Sequence, residues 1–166
     1  MNQEYAVMMA RYNAWQNQSL LASVEKLSQE ERRKDRGAFF GSIEQTFSHL
    51  LWGDEAWMSR FAGLPMPEGG IAASNAMIPD WAGFTKKRRE FDGVILDWAK
   101  STKAEWFEGD LTWYSGSVGH DVSKPKALLV VHFFNHQTHH RGQIHAMVTA
   151  AGAKTTATDL AFLPEG

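Results

Sequence analysis

The chain has no cysteine among its 166 residues. That excludes disulfides, thiolate metal ligands and a protein thiol nucleophile together, so thiol chemistry would need its thiol from a cosubstrate. Proline is scarce, with five residues, and Pro65, Pro67 and Pro79 share one stretch, which leaves long segments free to be helical. A strong charge of one sign is also missing. The formal charge of −2 and pI near 6.4 provide no global attraction to nucleic acid. Apolar runs such as Ala127 to Val131 fall far short of the ~20 residues that a membrane span needs. Met1-Asn2-Gln3-Glu4-Tyr5 lacks the basic start and apolar run of a signal peptide. A cytoplasmic location is the resulting expectation.

What is present is aromatic and apolar. Seven Trp, ten Phe and a hydrophobic content of 43% supply a core for one domain over 1–166 and exclude disorder. Residues 3–27 carry Tyr5, Met9, Tyr12, Leu20, Val24 and Leu27 at helical spacing without Gly or Pro. Ser28 followed by Glu30 and Glu31 reads as a cap opening a short helical turn. A second helix is expected over 39–61, with Ile43, Phe47, Leu50, Trp57 and Phe61 inward and Gly63 ending it. Residues 63–79, rich in Gly and Pro, read as a long irregular connection. Asp80 is placed as the cap of a third helix, 81–101, with Trp81, Phe84, Phe91, Ile95 and Trp98 inward. Within it Lys86-Lys87-Arg88-Arg89 reads as a solvated face, attraction to nucleic acid being the competing reading. Residues 102–124 mix Trp106, Trp113 and Tyr114 with glycines, which suits a loop or short hairpin. These aromatics either line a pocket mouth or plug one end of the molecule. Pro125 opens a fourth helix running to Ala151, before Gly152, and the tail from Thr155 is expected to be irregular. Four long helices with two long connections describe an all-α four-helix bundle with crossovers.

Five of the seven histidines lie in VHFFNHQTHHRGQIH, between His132 and His145. Leu129, Phe133, His136, His140, Ile144, Met147 and Ala151 are spaced by three or four and form one stripe. His136 and His140 therefore interrupt the apolar seam of the fourth helix one turn apart, on one face, where both can reach one ion. His139 and Asn135 share a neighbouring line, His132 falls between the two lines, and His145 points elsewhere. A lone core histidine is usually a packing residue, but a stacked pair has four ring nitrogens to satisfy. A third ligand must come from another helix. His49 is favoured, because Gly53 and Ala56 on its own face leave room around it, and His120 lies in the glycine-rich loop. Asp54, on the apolar stripe between Leu50 and Trp57, is the alternative, as a ligand or as an acceptor from a liganding histidine. Arg141 and Gln143 flank the ligand turn and are candidates to orient a substrate or a dimer contact. Asn13 and Asn17, one turn apart on the first helix, read as a solvated face or as anchors for a loop over the site.

NHQTHHRGQIHAM resembles the last-helix signature of the DinB/YfiT family, and GAFFGSIEQTFSHLLWGDEAWMSRF resembles its second-helix signature. The likeness extends to MMARYNAWQNQSLL and TDLAFLPE, covering nearly the whole chain. It implies a four-helix bundle with a long crossover, pairing as a homodimer. It also implies one divalent ion, zinc or nickel, on His49, His136 and His140. Some members of the family are transferases or isomerases that use bacillithiol or mycothiol, whereas others, closest to this chain, are known only as damage-inducible proteins. Three imidazoles leave a coordination position open, as in catalytic sites. That position suits a water acidified to a pKa of roughly 7, giving hydrolysis, or a cosubstrate thiolate, giving transfer. A non-catalytic stress protein that binds metal is the alternative. Because ligating imidazoles must be neutral, binding is expected to weaken below pH ~6.5.

Overall fold

A computed structural model describes residues 1–165. Among them, five α-helices and one two-stranded sheet are joined by loops and short 3₁₀ turns. Helix α1, Gln3–Val24, opens on Asn2, whose side chain accepts the Tyr5 N–H. It stops short of the expected residue 27 because Lys26 and Leu27 tighten into a turn that delivers Ser28. Ser28 then caps the short α2, Gln29–Arg33, by accepting the Glu31 N–H.

Helix α3, Ile43–Ala62, starts four residues later than the sequence suggests. Gly41 has φ 76°, a left-handed turn closed by its N–H to Ala38 O, and this conformation cannot continue a helix. Ser42 takes over the cap, leaving Phe39 and Phe40 in the preceding loop. Helix α4, Trp81–Ser101, has the expected bounds, but Asp80 makes no capping hydrogen bond. The segment of mixed aromatics forms a hairpin of β1, Asp110–Ser115, and β2, His120–Pro125, paired antiparallel with Trp113 opposite Val122. Helix α5, Lys126–Ala150, follows directly. The tail is irregular apart from one 3₁₀ turn at Leu160–Phe162. It is tied to α1 by Tyr12 Oη donating to Thr158 O and Gln16 Nε2 donating to Ala157 O. No helix among the described residues is long and apolar enough to cross a membrane.

Helix α1 packs on α4 and α5, and α3 packs on α5. Two apolar clusters fill the two ends. One gathers Ala10, Met58, Phe61, Ile95 and Phe133. The other gathers Leu21, Phe47, Leu50, Ile144 and Met147. Between them lies a buried polar waist. Arg88 donates to Asp54 (2.6 Å) and Asp92 (2.8 Å), and Gln137 donates to Asp54 (2.9 Å). Asn13 and Asn17 both donate to Asp92, and Arg141 donates to Asn13. Arg88, Asp54 and Asp92 are thus paired and hydrogen-bonded, as burial requires, whereas Arg141 is held by neutral acceptors on Asn13 and Thr138.

The basic run and the Asn13–Asn17 pair depart from the expected solvated faces. Arg88 is fully buried, so the basic run is solvated only at its neighbours; its spacing from Phe84, Phe91 and Ile95 places it on the inward stripe. Asn13 and Asn17 are buried as well, because they continue the stripe of Ala6, Ala10 and Leu20.

Candidate metal centre

Where α3 passes α5 at the level of the waist, three imidazoles converge. His49 comes from α3, and His136 and His140 come from one face of α5. The ring centroids of His136 and His140 are 4.5 Å apart, and those of His49 lie 5.2 and 4.7 Å from them. One ligand atom from each lies within 4.8 Å of the others. His49 Nε2 faces His136 Nε2 at 3.2 Å. Two nitrogens that share an ion at ~2.1 Å stand roughly 3.0–3.4 Å apart, between octahedral and tetrahedral edges. The donor set therefore fits a single transition ion.

Two of the three outer nitrogens are held in place. His140 Nδ1 lies 2.8 Å from Gln143 Oε1. An amide oxygen only accepts, so this nitrogen carries the proton and Nε2 keeps its lone pair. His49 Nδ1 lies 2.9 Å from Ser74 Oγ. His136 Nδ1 is buried without a partner, which is costly for a residue kept only for packing. Burial, with a smaller push from His140, lowers the His49 pKa to about 4. Burial and the neighbouring histidines lower His136 to about 3. Burial also lowers His140, against the Gln143 hydrogen bond. All three rings are neutral at pH 7, the state a ligand requires.

Small and aromatic residues shape the surroundings. A Cβ on Gly53 would lie 2.9 Å from His136 Cε1, so glycine makes the room the sequence suggested. Phe40 stacks on His49 at 3.9 Å between centroids. On the His140 side opens a cleft of about 650 Å³ walled by Phe39, Phe40 and Ile71. On the His136 side lies a cleft of about 240 Å³ beneath the hairpin, lined by Trp57, Arg60, Trp113 and His132.

The other candidates lie elsewhere. Asp54 is turned away from the histidines, with both oxygens taken by Arg88 and Gln137; burial raises its pKa to about 6 despite the pull of Arg88. Arg141 is buried on Asn13, within the waist. Of the suggested supporting residues, only Gln143 touches a ligand. His139 is exposed and His145 meets Thr155 Oγ1. His120 begins β2 and meets the Asp121 carbonyl. Trp113 lines the smaller cleft, Trp106 packs into one apolar cluster, and Tyr114 is exposed. Sequence reasoning missed Ser74 because it stands in a loop, where periodicity has nothing to say about facing. It missed Phe40 because helical spacing puts that residue inside the helix, which in fact starts at Ile43.

A mostly helical chain with three converging, neutral imidazoles belongs to the class of proteins able to hold a transition metal between helices. The model of the DinB family matches residues 1–166, and the chain belongs to that family. It is similar to Protein DinB of Bacillus subtilis (strain 168), with 26% identity over 161 residues, covering 94% of this chain and 91% of the relative.

Proposed function

We propose that this chain is a metal-dependent enzyme in which His49, His136 and His140 hold one zinc or nickel ion, within a single-domain four-helix bundle. The observation that carries this reading is the convergence of three neutral imidazoles between two open clefts. A closed structural site would instead be walled off by a fourth protein ligand. When bound, such an ion supplies Lewis acidity toward a water, a thiol or a carbonyl oxygen. Ser74 and Gln143 fix the imidazole edges, and Phe40 shields His49 from solvent. The larger, apolar cleft has room for an organic substrate beside His140. With no cysteine in the chain, a transferred thiol comes from a low-molecular-weight cosubstrate. Thiol transfer is the first reaction class and hydrolysis the second.

Zinc- and nickel-loaded protein should be assayed with several small thiols plus 1-chloro-2,4-dinitrobenzene, and separately with p-nitrophenyl acetate. Turnover proportional to bound metal and absent in His140→Ala is expected. One equivalent of bound metal with no turnover of either probe would instead mark a non-catalytic metal-binding protein.

A further inference from the structure

The cleft on the His136 side contains a charge with nothing to pair it. Arg60, in the last turn of α3, has its guanidinium carbon 4.6 Å from the Trp57 ring centre and 5.7 Å from that of Trp113. Among the described residues it makes no hydrogen bond or ion pair, and its Nε is buried without a partner. Stacking on indoles holds the guanidinium plane but satisfies none of its five N–H donors. A partly desolvated cation in that state needs an acceptor, and no carboxylate among the described residues reaches it.

We propose that this cleft is a seat for a carboxylate borne by the substrate, with Arg60 as its anchor. The seat adjoins the metal centre, because His49 and His136 line the same space. Arg60 is the one Lys, Arg, Asp or Glu among the described residues that line it, so the cleft carries a single positive charge. That matches a carboxylate monoanion better than a phosphate dianion, and the planar guanidinium fork meets two carboxylate oxygens at once. On the hairpin side Ser115 Oγ and Ser117 Oγ lie 2.9 Å apart, and either hydroxyl can turn to donate to a bound oxygen. A volume of about 240 Å³ admits a short acid. The inference rests on the proposed function only in treating the bound acid as part of the substrate.

The test is a titration of ¹⁵N-labelled full-length protein, metal-free and zinc-loaded, with butyrate, butyramide and inorganic phosphate. Butyrate should saturably shift the indole N–H signals of Trp57 and Trp113 and the Nε–H of Arg60 in both metal states. Butyramide should not, and phosphate should bind at least threefold more weakly. Arg60→Gln should weaken butyrate at least tenfold. Arg60→Lys keeps the charge and loses the fork, so it should fall between, and it serves as the reporter if the Gln variant does not fold. Butyrate binding that survives Arg60→Gln, or that needs zinc and leaves Arg60 unshifted, would overturn the seat. Zinc failing to bind while the Arg60-dependent shifts persist would count against the metal reading alone.

Discussion

At Gly53 the backbone of α3 runs so close to the His136 ring that a methyl group there would press on Cε1 at 2.9 Å. Gly53→Ala should therefore tilt His136 and weaken zinc roughly 10–100-fold, the range seen when ligand positioning is disturbed. The helix should persist, since Ala is the better helix former. Chelator competition together with circular dichroism checks both halves. Proton competition is also set at the level of single rings. With His49 near 4 and His136 near 3, neither ring takes up a proton between pH ~6.5 and ~5. His49 and His136 should then cost zinc little affinity from pH 7 to 5. That leaves His140, whose pKa burial also lowers, as the one ligand that competes with protons there. The loss should stay below roughly tenfold per pH unit and steepen only toward pH 4. This moves the window below the pH of ~6.5 that the free imidazole value suggested. A thousandfold loss by pH 5.5 in the same competition assay would mean ordinary histidine pKa values. The metal-free fold responds with a definite sign. An unfolded chain binds protons below ~6.5 that these folded histidines refuse, so they withdraw stability as pH falls from ~6.5 toward ~4. Asp54, raised to about 6, works the other way between about 6 and ~3.9, because there the folded state binds the extra proton.

The helices differ in how much of their role the sequence disclosed. On α5, seam periodicity alone placed His136 and His140 on one face, and the structure brings them together with His49. On α1 and α4 the same periodicity ran through Asn13, Asn17 and Arg88, but residue type suggested solvent. Their burial makes sense only with partners from other helices, Asp54 for Arg88, and Asp92 and Arg141 for Asn13, and such pairings leave no mark on a single helix. The start of α3 was misplaced for a related reason: Phe39 and Phe40 fit a helical stripe, while Gly41 imposes a turn. Arg88→Met should cost about 3–5 kcal/mol, because Asp54 and Asp92 would be left buried without their cation. Lys86→Ala should change stability by no more than about 0.5 kcal/mol, since Lys86 is exposed with only a loose contact to Glu90. Urea unfolding of both variants distinguishes this inward Arg88 from a uniformly solvated basic face.

Across the whole molecule, two apolar ends enclose a polar waist, and the three histidines lie at its edge on the α3–α5 seam. In the waist Arg88 pairs with Asp54 and Asp92 while Arg141 is held by Asn13, so these charges are structural. The imidazoles outside it are left neutral and facing one another between two clefts, His49 anchored by Ser74 and His140 by Gln143. That division of labour predicts that metal capacity resides in three residues and nowhere else in the histidine-rich helix. The direct measurement is metal content, by inductively coupled plasma mass spectrometry, of the parent and five single variants loaded with zinc and desalted side by side. The parent, His139→Ala and His145→Ala should each retain about one ion per chain, while His49→Ala, His136→Ala and His140→Ala should retain almost none. Equal zinc in the parent and His140→Ala, or loss confined to His139→Ala, would contradict the site.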